Sequence, residues 1–310
     1  MHGAVDWGGS WIRVGLVMRR KILISEKVRR PRALEEQFDV IAQYLHTCEA
    51  RLGGSAVALG VGIAGIVQGS EVVSAINLDI QGPVDIAAAL APRTSRPVFL
   101  CNDIQAVAGS LRHRWPDEVV AIVSMGTGIG GAILYRGGVF TGAGAAGDFG
   151  HLVFEPDGLP CDCGGHGCLE TVVSGRVLAE VASSLALSGT SPTLRRIGAE
   201  RALHAGDLES AARTGDPAAQ LALSKAAQAL AIGLRSVVAA VDPDRIVLLG
   251  AMLRPSGVFG GLLRERWSQR RPTWSEPRLT FVQEDENSAL VGAAAFAAER
   301  FAALGQERHT

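Results

Sequence analysis

Net charge is almost absent from this chain: 30 Lys and Arg oppose 31 Asp and Glu over 310 residues, leaving −1 at neutral pH. So even a balance gives no global field to hold a nucleic acid or an acidic membrane surface. Cysteine is scarce, with five residues, three of them at 161, 163 and 168. That usage argues against a disulfide framework and for a reduced, cytoplasmic compartment. The opening MHGAVDWGGS has no basic segment followed by an apolar core, so it lacks the marks of a secretory leader. A long uncharged apolar run is missing too. The least charged stretch, Val119 to Tyr135, is broken by glycines at 126, 128, 130 and 131. It reads as a buried strand plus a loop, not a membrane span. Neither a Gly-x₄-Gly-Lys-Ser/Thr phosphate loop nor a well-formed dinucleotide fingerprint occurs.

Apolar residues make up 47% of the chain, enough for a sizeable core, and the length favours two domains over one. Short apolar runs at Val57 to Ile63, Val98 to Cys101, Val119 to Ser124 and Arg245 to Leu249 read as buried strands. Gly3 to Asp6, Ile12 to Val17 and Lys21 to Val28 predict an opening meander. Helical periodicity covers Leu34 to Leu52, with Leu34, Phe38, Ile41, Leu45 and Leu52 on one face. Further helices are predicted over Ile104 to Arg114, Gly175 to Leu187, Pro217 to Ala240 and Ser288 to Leu304, the last with Ser288 as N-cap. SGTSPT (188–193) reads as a loop. Alternating strand and helix imply α/β layers, and two strand-rich openings imply two similar halves. A first domain over 1–110, completed by the terminal helix 288–310, would precede a second over 111–287. The basic run Arg19 to Arg32 has seven cations against one Glu. Apolar residues alternate through it, so it reads as a solvated strand edge.

Glycine is over-used, 38 of 310, and clusters directly after apolar runs. Asp6, Gly8, Gly9 and Ser10 form one such loop, DWGGS; SMGTGIGG (124–131) forms another. Backbone N–H groups in such loops can cradle an anion, although a tight turn explains the first equally well. Two such loops, one per half, would clamp a polyphosphate. IVLLGAML ends a strand at Gly250, where a nucleoside could approach the backbone, or where a strand simply stops. Asn102 and Asp103 stand between a strand and a helix. Asp103 suits a helix N-cap on position alone, and a general base if the loops flank a cleft.

The densest chemistry is HLVFEPDGLPCDCGGHGCLE (151–170). Cys161-x-Cys163-x₄-Cys168 with an upstream His151 offers three thiolates and an imidazole in a glycine-rich loop. That donor set suits tetrahedral Zn²⁺, and four protein ligands imply a closed, structural site. His166 is a spare ligand.

Taken in order, AVDWGGSWIRVGLV, CNDIQAVAG, VSMGTGIGGAIL, GAAGDFGH, CDCGGHGCLE and IVLLGAML resemble the successive signatures of the ROK family of sugar kinases and repressors, from Asp6 to about Gly292. The resemblance implies two RNase H-like α/β domains of the actin/hexokinase type with an active cleft between them. It implies that Asp6, Gly8, Gly9 and Ser10 (usually Thr) form a first phosphate loop and that Gly126, Thr127 and Gly128 form a second. Gly250 matches the nucleotide-binding glycine. Asp103 matches the catalytic base, and Gly65, Asn77, Asn102, Asp148, His151 and Glu170 match sugar contacts. The metal ligands would be His151, Cys161, Cys163 and Cys168. Asp148 departs from the family's usual Glu.

The resemblance thus implies an ATP- and Mg²⁺-dependent kinase acting on the 6-hydroxyl of glucose or a close relative, with structural zinc. Asp148 opens a second reading: an amino or N-acetylated hexose (glucosamine, kanosamine, N-acetylmannosamine) or a cyclitol. Polyphosphate is an alternative donor to ATP. A sugar-sensing repressor is disfavoured because Asp6 leaves no room for a preceding DNA-binding domain. A zinc hydrolase is disfavoured by the closed ligand set. Family habit implies a homodimer or tetramer, without nucleic-acid or membrane partners.

Overall fold

Strand alternation at the start of the chain builds the first sheet directly. In a computed structural model, which describes residues 1–75, 78–283 and 285–307, β1 (His2–Trp7), β2 (Trp11–Met18) and β3 (Lys21–Arg29) form an antiparallel meander. Helix α1 (Leu34–Leu52) follows, then β4 (Leu59–Ile63) parallel to β1. A three-stranded antiparallel sheet of β5 (Ile66–Gln68), β6 (Glu71–Ala75) and β7 (Ile80–Asp85) comes next, then α2 (Ile86–Thr94). Strand β8 (Val98–Asn102) closes the main sheet, in the order β3-β2-β1-β4-β8, and runs into α3 (Asp103–Leu111).

The chain then repeats the plan with β9 (Val119–Met125), β10 (Ile129–Tyr135) and β11 (Gly138–Phe140). Five helices follow: α4 (Leu169–Val172), α5 (Gly175–Leu187), α6 (Pro192–Gly198), α7 (Ala205–Arg213) and α8 (Pro217–Val241). Then come β12 (Arg245–Leu249), α9 (Val258–Arg270), β13 (Arg278–Val282) and α10 (Ser288–Glu307). This second sheet has the order β11-β10-β9-β12-β13, the same as the first, with β12 parallel to both β9 and β13.

Two compact units result. One comprises Met1–Asp117, Ile133–Ala146 and Asp285–Thr310; the other comprises Glu118–Ala132 and Gly147–Glu284. In the first, α1 and α2 cover one sheet face. Trp7, Ile12, Phe38, Ile41, Leu45 and Leu59 are all buried there, and Trp7 Nε1 donates to the buried Gln37 at 2.9 Å. Helices α3 and α10 cover the other face through Ala4, Cys101, Ala106, Leu290, Ala293 and Phe296. Small residues set that approach: a Cβ on Gly292 would collide with the Ala106 carbonyl, and one on Gly60 with the Ala293 carbonyl. In the second unit α8 packs on α7 and α9. Its start is fixed by Pro217 at N1 and Asp216 at N-cap, whose carboxylate accepts from the Ala218 and Ala219 amides.

Several boundaries differ from expectation. The α1 face continues through buried Cys48, not Leu52, which is 40% exposed because the chain turns away at left-handed Gly53. Ser288 is the first helical residue of α10, and the Asn287 carbonyl accepts from the Val291 amide. Helix α6 takes up the end of the expected 188–193 loop, with Ser191 as its N-cap. The sheet β5-β6-β7 was not legible, since its strands are short and β7 contains Gly82 and Pro83. Val119 to Tyr135 is two strands, but α8 and α10 are long and apolar enough by length and composition to cross a membrane. Their apolar residues pack on neighbouring helices and, for α10, on the first sheet, while α8 keeps Gln220, Lys225, Gln228 and Arg235 exposed on its other side.

Candidate active site

In the first unit, β1 ends at Trp7 and the turn Gly8–Ser10 leads into β2. The Gly8 amide donates to the Trp11 carbonyl, and Arg30 Nε donates to the Gly9 carbonyl at 2.6 Å. Gly8 does not adopt the left-handed conformation, and a Cβ there would meet only ordinary contact. The fold therefore does not require glycine at this position, whereas a ligand lying against the backbone would. Gly126 in the second unit behaves alike, with open space where its Cβ would be.

Asp103 and Asn102 divide two tasks at the end of β8. Asn102 is the N-cap of α3. Its Oδ1 accepts from the Ile104 and Gln105 amides, and Gln105 Oε1 accepts from the Asn102 amide, closing a capping box. Asp103 is the first helical residue, and its Oδ1 also accepts from the Ile104 amide, at 2.9 Å, while the capping box itself is closed by Asn102 and Gln105. Asn102 Nδ2 donates to the Gly65 carbonyl at 3.1 Å, which leaves one of its two N–H groups for a further partner. Gly65 is itself packed tightly, since a Cβ would meet the Ser74 carbonyl at 2.6 Å. Asn77 lies outside the described residues.

The second unit assembles Asp148, His151 and Glu170 around the metal cluster. His151 closes a short 3₁₀ turn (Phe149–His151), and Cys168 precedes α4, which carries Glu170 in its first turn. Backbone bonds weave the loop between them. The Phe154 and Glu155 amides donate to the Gly167 carbonyl, and the Cys161 amide to that of Gly165. Gly167, at φ +66°, packs so closely on Glu155 that no side chain would fit.

Ligand atoms of His151, Cys161, Cys163 and Cys168 all lie within 4.8 Å of one another. His151 Nδ1 is 3.5 Å from Cys161 Sγ, and the Cys163 and Cys168 sulfurs are 3.6 Å apart. Two sulfurs bound tetrahedrally at about 2.3 Å sit roughly 3.8 Å apart, so the set fits one zinc-sized cation. His166 is exposed and outside the cluster. Without a cation, burial pushes the Cys161 thiol up to about 12 and also raises Cys168, whereas the Gly165 amide holds Cys163 down. Stable thiolates packed this closely need a positive charge.

With Nδ1 turned to the sulfurs, His151 Nε2 lies 3.7 Å from Asp148 Oδ2. Burial raises the Asp148 carboxyl, the His151 ring opposes that rise, and Glu170 adds to it. Glu170 Oε1 is 3.4 Å from Cys161 Sγ, and Oε2 accepts from the Ile129 amide at 3.3 Å. A Cβ on Gly128 would strike Glu170 Oε2 at 2.6 Å, so this glycine makes room for the carboxylate. The cluster loop and the Gly126–Gly128 turn are thus one assembly.

Helix α5 completes that assembly. Its Gly175 and Arg176 amides donate to the Gly126 and Thr127 carbonyls, and Ser174 caps it. Beside it lies a cavity of about 1020 Å³ lined by Thr127, Arg176, Glu180, Ser184 and His204, among others. That is at the upper end of the roughly 300–1,000 Å³ common for small-molecule sites. Apart from Thr127, sequence reasoning missed these lining residues. The available signal was Ser174-Gly175, a cap followed by a poor helix former that only close backbone packing explains. Gly250, at φ +122°, abuts the Met125 carbonyl, so the strand-end reading accounts for its glycine.

Comparison with known proteins places the chain in a family. The ROK family model matches residues 2–300. A glucokinase of Thermotoga maritima is 32% identical over 273 residues, covering 84% of this chain and 85% of its own. An N-acetyl-D-glucosamine kinase of Shigella boydii is 26% identical over 95% of this chain and 98% of its own. The crystal structure of a ROK family glucokinase from Streptomyces griseus, in complex with glucose and AMPPNP, superposes with TM-score 0.79. It is 28% identical over 96% of this chain and 99% of that one. Doubled five-stranded sheets of one strand order, two glycine turns and a His-Cys₃ cluster on a sugar-kinase scaffold lead to one assignment: this chain belongs to the ROK family, with its actin/hexokinase-like fold.

Proposed function

We propose that this chain is an ATP-dependent hexose kinase that transfers the γ-phosphoryl group to the 6-hydroxyl of glucose or a close relative. The observation that carries the reading is the division of labour at α3, where Asn102 closes the capping box and Asp103 stands beside it, sharing with Asn102 the Ile104 amide but not that of Gln105. In this reading the γ-phosphorus–oxygen bond to ADP breaks as the bond to the hexose O6 forms. The O6 proton passes to Asp103, and the electron pair stays on the ADP oxygen. Phosphoryl transfer has a loose transition state, so orientation of O6 and stabilisation of phosphate charge dominate. With the Gly8 and Gly126 amides engaged by the Trp11 and Gly128 carbonyls, the N–H groups of Gly9–Ser10 and Thr127–Gly128 would face the phosphates, and the cavity beside α5 would take the nucleoside. Mg²⁺, when bound, neutralises phosphate charge, and Asp6 is the carboxylate of the first loop suited to it. Zinc on His151, Cys161, Cys163 and Cys168 would hold Asp148, His151 and Glu170 as acceptors for sugar hydroxyls. The test is ATP turnover over a panel of hexoses, aminohexoses, N-acetylhexosamines and cyclitols. Saturable stimulation by a hexose is expected; no stimulation by any of them would end the kinase reading.

A second reading, an amino or N-acetylated hexose, is favoured by Asp148, one methylene shorter than the family's usual Glu. The shorter side chain leaves room beside His151 for a substituent on the sugar. Asp148→Glu is expected to lower KM for glucose and raise it for N-acetylated hexoses, each by about tenfold, the worth of one charge-assisted hydrogen bond. Unchanged KM values for both would remove Asp148 from the specificity role.

Asp6 carries a stability consequence. Burial raises its carboxyl above the usual value, although Arg13 and Lys27 hold it down. The folded state thus favours the protonated form, so a stability contribution present at low pH is lost as pH rises through the folded pKa. Asp6→Asn is expected to melt a few degrees higher than the parent at pH 8, with the gain vanishing near pH 3, while losing phosphoryl transfer. Thermal melts across pH, paired with turnover, check this.

A further inference from the structure

The register of the opening meander places three charged residues in a row. Asp6 on β1 pairs with Arg13 on β2, and Arg13 pairs with Lys27 on β3, so all three side chains leave the same sheet face. They line a cavity of about 310 Å³ together with the Gly8–Ser10 turn and Trp11. The two cations are not equivalent. Arg13 is engaged: its guanidinium donates to the Glu286 carbonyl, to Glu286 Oε2 at 3.3 Å and to Asn287 Oδ1 at 3.4 Å, and its side chain is 11% exposed. Lys27 is exposed, and among the described residues no carboxylate lies within ion-pair distance of it. Its ammonium instead sits 5.1 Å from the centroid of the Trp11 ring.

A cation resting on an exposed ring is held weakly and can leave for a stronger partner. Lysine suits that movement, having a flexible four-carbon stem and three rotatable donors. Trp11 directly follows the Gly8–Ser10 turn and lines the same cavity, so the ring holds the ammonium beside the turn where an anion would approach the backbone. Arg13 cannot fill the role without abandoning Glu286 and Asn287.

We propose that Lys27 is a donor-binding residue: its ammonium moves off Trp11 to bind the terminal phosphates of the phosphoryl donor at the Gly8–Ser10 turn. The proposal rests on the kinase reading and adds a side chain from a neighbouring strand to that site. Its role is electrostatic and confined to the polyphosphate, not the nucleoside or the sugar.

Calorimetric titration of the full chain with AMPPNP plus Mg²⁺, and separately with AMP, tests it. Lys27→Met is expected to weaken AMPPNP about 10- to 100-fold, the range for losing a hydrogen-bonded charge, and AMP less than twofold. Lys27→Arg should recover most of the loss. Arg29→Ala, an exposed cation on the same strand, should change neither ligand more than about twofold, as a surface charge does. Steady-state kinetics should show a raised KM for ATP with the hexose KM unmoved. AMPPNP bound equally by Lys27→Met and the parent would overturn the proposal, as would equal losses for AMPPNP and AMP. A parent that binds AMPPNP but phosphorylates no hexose would overturn the kinase reading while the Lys27 comparison still stands. A parent that fails to bind AMPPNP would overturn both.

Discussion

Asp103→Asn should lower kcat by about 10²–10⁴-fold, the usual contribution of a positioned general base, while hexose binding and thermal stability stay near those of the parent. The stability half of this expectation comes from the capping box. Asn102 accepts from the Ile104 and Gln105 amides, and an Asn at 103 keeps an oxygen that can accept from the Ile104 amide as Asp103 Oδ1 does, so the first turn of α3 keeps its cap in this variant. Asn102→Ala should behave oppositely. It removes the cap and the bond to Gly65, and should cost about 1–2 kcal/mol of stability. Turnover, hexose titration and melting of both variants separate the roles. An Asp103→Asn protein with near-normal kcat would remove Asp103 as the base, and one that melts far below the parent would make it structural.

Loss of the metal should have the second large effect. Chelation, or Cys161→Ala, is expected to raise the hexose KM at least tenfold. It should also open the 151–168 loop to proteases while most helical ellipticity remains. Retention follows from where the second unit's apolar core lies: Ile122, Leu230, Leu234 and Leu248 are buried on β9, α8 and β12, outside the cluster loop. The loss of sugar affinity follows from Glu170, which lies against Cys161 and against the Ile129 amide and would lose its anchorage with the cluster. Metal uptake should strengthen as pH rises, because Cys161 and Cys168 enter the cluster with raised thiols that must give up protons. A metal-free protein with unchanged hexose binding and protease resistance would show that the cluster supports nothing in the sugar site. One that keeps its hexose affinity and loop but loses turnover would give the metal a catalytic part.

Legibility varied with how local the cause was. Helix α1 and α5 were read to the residue, because periodicity, Gly53 and Ser174 mark their ends within the segment itself. Strands β9 and β12 were within a residue of expectation, since a short β-branched run ending in glycine has few other readings. The sheet β5-β6-β7 was invisible because its strands of three to six residues draw stability from pairing with each other, which leaves little pattern in any one of them. The nucleoside-sized cavity was invisible for a related reason. Arg176 and Glu180 lie one turn apart on α5, but His204 comes from a separate segment that only the packing of α5 beside residues 203–205 brings to them.

The sequence by itself determined most of the long strands and helices and the loop that carries the metal-type donor set. Helix caps, alternation and ligand spacing act over a few residues, and so leave their mark in the order of side chains. Tertiary structure alone decided which of two neighbouring residues caps α3 and which glycines the fold itself requires. It also decided that Lys27, seventeen positions after Ser10, stands beside the first glycine turn. Each of these depends on what lies across a strand pair or a packed helix, and contact between segments distant in sequence has no local signature.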